Sequence, residues 1–445
     1  MVQGESLMGT SDISIKTQHN YSESKKSSKN ELLICALFGI LLFARAMSNI
    51  AFYAFIGVSL IVFLVSDIRQ SIIFLFFLLP FATILKQDVD GMSFYTVLFF
   101  FVVLKMIMKH RTIDVRLVVA ILLFFLYGLF FSGEAQLTTI ITMLVGVLML
   151  YCIKQEDINA DISSTVIAYS IGICLASVLA LFKQSFPIIN EFVTDSMIKL
   201  GAEEYAERFA GLHGNPNYFT LDVTVALSAL IVLSYYNNKK PKTYILCLIA
   251  LSVFGLMSVS KSFLLVWIFL ILCWFVLSIK QGAGKLFKFI SVVIIGAMII
   301  YLFTYDYVNT YLFRFVEEGT GTFDDLTTGR TVIWDKYIKA IFNDIKILLL
   351  GNGLNTILTT IDKGTHSTYL SSLFGLGIIG TAILVYMLCI CIGNLRFKGC
   401  VFITLIVLLI RMIAIDILTY DSTWFYLSVL LLLARDYRER KRKIR

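Results

Sequence analysis

The sequence predicts an all-α polytopic membrane protein. Of its 445 residues, 58% are hydrophobic and only 15% are charged, whereas ordinary soluble domains are roughly 45–50% apolar and about 25% charged. The mean hydropathy is +0.84, and a soluble core could not bury so much apolar surface. This composition excludes a cytosolic enzyme, a secreted disulfide-bonded domain and a disordered protein, and it requires that much of the chain faces lipid.

The apolar segments divide the chain into about fourteen predicted spans, since a membrane helix needs about 20 mostly apolar residues. Charged residues or clusters of Gly, Asn and Pro separate them. An even number of spans places both ends of the chain on the same side of the membrane. The predicted spans are 32–49, 50–66, 71–86, 93–109, 115–132, 137–153, 163–182, 218–236, 243–258, 262–279, 286–304, 366–393, 399–418 and 423–434.

The basic residues predict the orientation. Most of the 38 Lys and Arg residues fall on one side of the alternating spans, and the positive-inside rule assigns that side to the cytoplasm. The domain prediction is a disordered cytoplasmic tail over 1–31, a transmembrane domain over 32–434 and a basic cytoplasmic tail over 435–445, in the cytoplasmic membrane of a cell. The tail has no apolar run, so no cleavable signal peptide is expected. The net charge of +8 then reflects topology and contact with anionic membrane lipids, and we expect no nucleic-acid partner.

Two predicted outward loops, 183–217 and 305–365, are too long to be simple connectors. The second contains apolar residues at helical spacing from Trp334 to Leu348, which predicts an amphipathic helix on the outer membrane surface. Thr327 and Thr328 are expected to start this helix and Gly351 to end it.

The eight cysteines lie within or at the edge of apolar segments. No CxxC or Cys/His ligand spacing is present, so the sequence predicts buried, inert thiols and no metal site.

Four polar motifs are predicted to meet on the outer side. A stretch with two glycines and Asn-Pro-Asn precedes a span, which indicates a tight, shaped turn. A second motif is a short Ser/Lys turn, and the third places an arginine in the first turn of the surface helix, where free N–H groups favour an anion. The fourth stands at the mouth of the next span. They are Arg208–Tyr218, Ser258–Ser262, Gly329–Trp334 and Gly364–Leu370, the last followed by Gly375, Gly377 and Gly380.

Two arginines, Arg45 and Arg411, lie inside predicted spans, where a charge is costly and normally faces a partner or a polar cavity. One interpretation is that Arg411 pairs with Asp222, Asp416 or Asp421. The other is a cationic pocket at the lipid headgroup level, which suits a lipid diphosphate because the arginine fork matches phosphate oxygens. That pocket would consist of Arg208, Lys261, Arg330 and Arg411.

Simpler roles exist for the same residues. Arg208 has Glu203, Glu204 and Glu207 nearby, and Arg330 has Asp324 and Asp325, so both could form ordinary ion pairs. His366 is the candidate general base, although a lone histidine is more often a packing residue. His213 lies in a glycine turn, which favours a structural role.

These motifs resemble the O-antigen ligase and O-antigen/capsule polymerase superfamily of bacterial membrane glycosyltransferases. The resemblance lies in Arg-Phe-x-Gly-x-x-x-Asn-Pro-Asn from Arg208, the Ser-x-Ser-Lys turn, the Gly-Arg-x-x-x-Trp helix start and Gly351-Asn352-Gly353. It also includes Thr365-His366-Ser367-x-Tyr369-Leu370, and it covers about residues 205–395. The resemblance implies a glycosyltransferase C-like fold that needs no metal or other cofactor. It further implies an undecaprenyl-diphosphate-linked glycan as the donor.

The resemblance also implies roles for single residues. Arg208 and Arg330 would hold the diphosphate and His366 would act as the base. We expect Asn215, Asn217, His213 and Tyr369, from the same motifs, to support the site. Two positions depart from the family pattern. Lys261 stands where arginine is frequent and loses the bidentate fork, and Ser367 replaces a common asparagine, which leaves the acceptor side open.

Three functions remain open at this point. The first is a polymerase of capsular or O-antigen-type repeat units, with flippase and chain-length regulator proteins as further partners. The second is an O-antigen ligase that transfers glycan to a lipid A core. The third is a transporter or flippase of an anionic lipid or solute, which the absence of repeat symmetry in the sequence disfavours. The abundant Lys, Ile, Phe and Asn are typical of a low-GC genome and favour the polymerase.

Overall fold

The computed structural model describes residues 30–89, 91–109, 112–131, 137–155, 161–200, 204–236, 241–297, 301, 329–393 and 395–444. Within these ranges, residues 288, 295, 355, 359–362, 396 and 398 are not described. Most of the predicted tail 1–31 therefore lies outside the described residues, and Asn30 and Glu31 already belong to the first helix. The predicted span 286–304 is described in part. Residues 302–328, which include most of the predicted loop start and Thr327 and Thr328, also lie outside.

Helices make up most of the described chain. They are α1 (Asn30–Met47), α2 (Ile50–Val65), α3 (Ile68–Leu78), α4 (Phe94–Lys109), α5 (Val115–Phe131), α6 (Leu137–Lys154), α7 (Ile162–Leu181), α8 (Pro187–Phe192), α9 (Pro216–Tyr236), α10 (Pro241–Met257), α11 (Lys261–Lys280), α12 (Arg330–Asn343), α13 (Ile345–Leu350), α14 (Thr368–Ile392), α15 (Val401–Ala414) and α16 (Ser422–Ile444).

Six of these helices, α1, α6, α7, α9, α11 and α14, are long and apolar enough to cross a membrane, and five further apolar helices of 10–17 residues accompany them within the described chain. Together with the composition, this is the architecture of an α-helical membrane protein. Each predicted span outside 286–304 overlaps a helix. The helix α16 continues to Ile444, so the described part of the predicted basic tail 435–445 is helical.

A small β-hairpin interrupts the helical pattern inside the predicted loop 183–217. Strand β1 (Ser196–Leu200) pairs antiparallel with β2 (Glu204–Arg208), and Ser196 lies opposite Arg208. Lys183 contacts Glu207 of the second strand at 2.9 Å. The sequence analysis did not predict this hairpin. It orders the loop and fixes Arg208 at the end of a strand, directly before the glycine turn.

The predicted surface helix is divided in two, so the prediction of one continuous helix was wrong. Asp344 adopts an extended backbone conformation between α12 and α13, and its carboxylate accepts from the backbone N–H of Lys346, which caps the second helix. The residue that precedes α12 is Gly329 in a left-handed conformation. Gly351 ends α13, as the sequence predicts.

Glycines allow this helix pair to lie against α14. A Cβ on Gly377 would stand 2.5 Å from both the Gly351 nitrogen and the Leu349 carbonyl oxygen. Gly377 has a φ of +60°, and α14 is kinked there. The backbone N–H of Asn352 donates to the carbonyl of Phe374 at 2.7 Å. The Gly351–Gly353 motif and the glycines of α14 therefore serve close backbone packing.

Helix α9 is central to the arrangement. It packs against α7, α10, α11 and α15, while α16 packs against α6. Its first turns therefore meet the ends of several neighbouring helices, and this is where the predicted polar motifs lie.

Candidate functional site

Arg411 joins three helices at one end of α9. The side chain is fully buried on α15, and its Nη2 donates to the Asn217 carbonyl at 2.8 Å and to the Thr220 hydroxyl at 2.7 Å. Its Nη1 donates to the Ser262 hydroxyl at 2.6 Å. The guanidinium thus lies among the first turns of α9 and α11, and all three of these partners are neutral oxygens.

The predicted pairing of Arg411 with a carboxylate is not present. None of the described carboxylates lies within ion-pair distance of Arg411, and its Nε is buried with no hydrogen-bond partner. Asp222 binds His213 instead, at 2.6 Å, and Asp421 accepts from Thr96 at 3.3 Å. Asp416 accepts from the backbone N–H of Leu418 at 3.1 Å. A buried cation that none of the described carboxylates neutralises favours the binding of an anion.

Arg330 lies close to Arg411. Arg330 begins α12 and donates from Nη1 to the carbonyl of Ala414, at 2.7 Å, at the end of the helix that carries Arg411. The two positive charges repel each other across this short separation. The alternative partners Asp324 and Asp325 lie outside the described residues.

Arg208 reaches the same region from the hairpin. Its Nε donates to the carbonyl of Ser258 at 3.1 Å, while Glu207, one of its predicted partners, pairs with Lys183. The Ser258 turn contains Val259 in a left-handed conformation, with φ +50°. Glu203 lies outside the described residues, and only the backbone of Glu204 is described.

The same turn brings Lys261 to the site. Lys261 is the first residue of α11, whose start Ser260 caps through its hydroxyl. The Ser260 hydroxyl also contacts the Asn217 side chain at 3.3 Å. Contacts at Asn217, Ser258 and Ala414 therefore connect the segments that carry four basic residues. We call these four the basic cluster: Arg208, Lys261, Arg330 and Arg411.

His366 lies beside Arg330 in a turn that is fixed on both sides. The Thr365 carbonyl accepts from the indole N–H of Trp334 at 2.9 Å, and the Thr368 N–H donates to the Ile415 carbonyl at 3.1 Å. His366 has a φ of +50°, an uncommon conformation outside glycine that is often found at functional sites. Its side chain remains accessible to solvent.

The surroundings of His366 favour its neutral form. Partial loss of hydration, and then the charges of Arg330 and Lys363, lower the pKa of His366 below its ordinary value. A neutral imidazole can accept a proton, which is the property that a general base needs.

Two of the predicted supporting residues, Asn215 and Tyr369, make hydrogen bonds that hold the backbone near the basic cluster. The Asn215 side chain accepts from the Asn217 N–H at 2.9 Å and so shapes the turn before α9. The Tyr369 hydroxyl donates to the Leu409 carbonyl at 3.2 Å, which ties the start of α14 to α15.

His213 has a more specific environment than the sequence analysis predicts. Its Nε2 lies 2.6 Å from Asp222 and its Nδ1 lies 2.8 Å from the Tyr420 hydroxyl. Tyr426 donates to the other oxygen of Asp222. Both His213 and Asp222 are buried. The signal in the sequence was Asp222 itself, a carboxylate inside an apolar span, since such residues normally have a function and a partner.

Two other sequence features lie away from this site. Arg45 donates to the carbonyls of Ile84 at 3.0 Å and Lys86 at 2.7 Å. Its guanidinium also lies 4.9 Å from the ring centre of Phe52. These contacts give Arg45 a structural role. The eight cysteines are free, and seven are buried or half-buried, but Cys389 is exposed, so the prediction that all are buried was wrong for that residue.

Comparison of the chain with protein-family models, curated proteins and solved structures gave no match. The family resemblance therefore depends on the sequence motifs alone. Among the residues that the structure describes, no group of three or more His, Cys, Asp or Glu side chains is arranged to hold a metal ion.

Proposed function

We propose that this protein is a glycosyltransferase that polymerises surface-polysaccharide repeat units. The donor is an oligosaccharide linked to undecaprenyl diphosphate, and the reaction takes place at the outer face of the cytoplasmic membrane. Both termini and most of the basic residues are on the cytoplasmic side, in contact with anionic lipids, and about fourteen spans cross the bilayer. The loops 183–217 and 305–365 then lie outside and supply the catalytic residues.

The observation that supports this proposal most is the environment of Arg411. It is a fully buried cation whose hydrogen bonds go to neutral oxygens, and its Nε has no partner among the described residues. A diphosphate between the described cations would supply the missing negative charge. Its hydrogen-bond partners lie in the first turns of α9 and α11, and Arg330, which begins α12, is near. Free N–H groups and the positive ends of helix dipoles favour an anion at such a position.

The chemistry of the proposed donor fits these residues. A glycosidase needs a protonated carboxylic acid to help an alkoxide leave, whereas a diphosphate is already a good leaving group. The basic cluster stabilises the negative charge that grows on the diphosphate as the glycosidic bond breaks. His366 accepts the proton of the acceptor sugar hydroxyl, whose oxygen forms the new bond to the anomeric carbon. A single displacement of this kind inverts the anomeric centre.

The acceptor separates the polymerase from the ligase. A polymerase transfers the growing glycan to another lipid-linked repeat unit, and a ligase transfers it to a lipid A core. We propose the polymerase because the composition is typical of low-GC genomes, in which lipid A is often absent. A flippase that delivers the lipid-linked unit and a regulator of chain length are then the expected partners.

The first experiment analyses the lipids of a deletion strain. The proposal predicts that lipid-linked single repeat units accumulate and that long polymer disappears, whereas a ligase mutant would retain polymer on its lipid carrier. Accumulation of the units on the cytoplasmic side would instead indicate a flippase.

The second experiment replaces Arg330 by Lys in the complemented strain. The lysine keeps the charge but loses the planar fork, so we expect polymer synthesis to fall about 10²–10³-fold, the usual cost of losing one such donor. Arg116→Lys is the matched control, because Arg116 is exposed and pairs only locally with Asp114. Normal polymer synthesis by Arg330→Ala, at normal protein level, would exclude Arg330 from the site.

A further inference from the structure

An apolar groove lies between α1, α3, α7 and α10. Its volume is about 740 Å³, within the range of about 300–1,000 Å³ that is usual for ligand sites. Leu32, Ile40 and Phe43 of α1 line the groove and are each more than half exposed, so it is open on one side. In a protein whose apolar surface faces lipid, this opening gives access to the hydrocarbon chain of a lipid.

Small residues on facing helices keep the groove open. Gly39 of α1 faces Leu175 of α7, and a Cβ added to Gly39 would still stand 3.8 Å from the Leu175 side chain. Ala36 of α1 and Ala168 of α7 also line the groove. Apolar cavities exclude water and take up apolar molecules, so hydrocarbon is the expected content.

The groove is about as long as one leaflet of a membrane. At about 1.5 Å per residue, α1 rises about 18 Å from Glu31 to Phe43, and α7 rises about 17 Å from Ser164 to Leu175. Half of a hydrocarbon core of about 30 Å is about 15 Å. The charged and hydroxyl groups of the lining, on Glu31, Ser164 and Thr243, all lie in the first turns of their helices. The groove is therefore polar at one end and apolar along its length, as a lipid is.

Direct contacts show that these helix starts lie together. Nη2 of Arg69, in the first turn of α3, lies 3.6 Å from Oε1 of Glu31 and 3.5 Å from Oδ2 of Asp161. Asp161 is the residue before α7. The Ser163 hydroxyl of α7 lies 2.6 Å from the Tyr244 hydroxyl of α10. We call Glu31, Arg69 and Asp161 the charged mouth of the groove.

The charged mouth carries both signs of charge, with one arginine and two carboxylates. The distances from Arg69 to the carboxylates are those of ion pairs and exceed those of ordinary hydrogen bonds. Its Nε has no hydrogen-bond partner among the described residues. The side chains of Arg69 and Asp161 are both partly exposed. Arg69 is therefore suited to a phosphate and Asp161 to an ammonium group.

We propose that the groove binds one acyl chain of phosphatidylethanolamine from the leaflet at the charged mouth. The phosphate of this lipid contacts Arg69, and its ammonium group pairs with Asp161. The excess of one carboxylate repels a lipid whose head group has a phosphate alone, such as phosphatidylglycerol. In the proposed orientation this leaflet is the cytoplasmic one. The inference does not depend on the proposed function.

Other occupants match the groove less well. The chain before α1 has no apolar run, so it does not match the apolar walls. A polyprenyl diphosphate carries still more negative charge than phosphatidylglycerol. The basic cluster also lies at the other end of α10, since Arg208 binds the carbonyl of Ser258, directly after this helix.

The test counts the lipids that stay bound to the full-length protein. Delipidated protein is placed in vesicles with equal amounts of phosphatidylethanolamine, phosphatidylglycerol and undecaprenyl phosphate, and is then extracted in a mild detergent. Native mass spectrometry measures the lipids that remain. We expect one bound phosphatidylethanolamine, preferred about tenfold over phosphatidylglycerol, the effect of one hydrogen-bonded charge pair.

Variants test the groove and its mouth separately. Gly39→Leu places a side chain in the groove and should lower lipid retention about tenfold, since displacing two CH₂ groups already costs that much. Gly57→Leu, on an exposed part of α2 with open space around it, is the matched control and should retain the lipid. Asp161→Asn keeps the oxygen that caps α7 and should remove the preference for phosphatidylethanolamine. Arg69→Gln should weaken retention of both phospholipids.

Several results would overturn the proposal. Equal retention by Gly39→Leu and Gly57→Leu would exclude the groove as the site. A wild type that retains phosphatidylglycerol or undecaprenyl phosphate as well as phosphatidylethanolamine would refute the head group. Lipid binding only after removal of residues 1–29 would assign the groove to that segment. Added phosphatidylethanolamine should raise the unfolding temperature of the wild type and of Gly57→Leu, but not of Gly39→Leu, which separates lost binding from lost folding.

Discussion

Replacement of His366 provides a direct test of the proposed chemistry, because its catalytic and structural effects should differ. The side chain is accessible and makes no hydrogen bond that holds the turn together within the described residues, since the turn is fixed by Thr365 and Thr368. His366 has a φ of +50°. Asparagine and histidine both adopt this left-handed conformation more readily than most residues, and glycine adopts it at no cost. His366→Asn should therefore change the free energy of unfolding by no more than about 0.5 kcal/mol.

Two further variants, His366→Ala and His366→Gly, both remove the proposed base but differ in backbone strain. The left-handed conformation costs an alanine about 1 kcal/mol and costs glycine nothing. The glycine variant should therefore be more stable than the alanine variant and about as stable as the wild type. Polymer synthesis should fall about 10²–10⁴-fold in all three variants, which corresponds to about 2.7–5.4 kcal/mol in the barrier. Single lipid-linked repeats should accumulate while donor binding stays nearly intact.

The pH dependence gives a second signature of the same residue. Because Arg330 helps to lower the pKa of His366, the neutral base persists to a lower pH than for an ordinary histidine. Removing that charge by Arg330→Gln should raise the pKa of His366 and move the acid limb of the rate profile to higher pH. The assay is conversion of purified lipid-linked repeats by the detergent-solubilised protein at saturating donor. Rapid, pH-independent turnover by His366→Asn would refute a base at this position.

The remaining predictions concern topology and packing. In a cysteine-free background, Asn343→Cys, exposed at the end of α12, should react with an impermeant thiol reagent in intact cells. Lys280→Cys, exposed at the opposite end of α11, should react only after the membrane is opened, and the reverse pattern would refute the orientation. Gly377→Ala should destabilise the fold by about 3 kcal/mol, because a Cβ there meets backbone at 2.5 Å with φ +60°. Gly57→Ala, with open space around it, is the control, and equal thermal unfolding of both variants would contradict the packing argument.

Much of the helical fold was predictable because a membrane helix has a simple requirement, a continuous apolar stretch of sufficient length. Segments such as 137–153 and 163–182 agree with α6 and α7 to within one residue. The sequence also places the partners of Arg208, Arg330 and Arg411 at or near the end of a span, as with Ser258, Ala414 and Asn217. Sequence position alone specifies which end of a helix a loop residue occupies, and that is sufficient to bring such residues to one end of the bundle.

Features that depend on precise side-chain partners were not predictable. Asp344 divides the surface helix because its carboxylate caps the next turn, and an acidic residue inside an amphipathic pattern does not distinguish a cap from a solvent-facing position. The sequence also could not predict whether Asp222 pairs with Arg411 or with His213. All three were near one another by topology, and only the arrangement of α9, α15 and the glycine turn decides that Asp222 binds the histidine.

The distribution of polar groups along α9 favours an enzyme over a transporter. A transporter needs a polar route that reaches the opposite face of the membrane. Beyond Asp222, the hydroxyls of Thr224, Ser228 and Ser234 each donate to a carbonyl of their own helix, at 2.9, 2.9 and 2.8 Å. Arg411, Asp222 and the helix starts all lie at the other end. The charged side chain of α9, Asp222, therefore lies toward the same end as Arg411, which is consistent with the proposed reaction of two substrates that approach from one side.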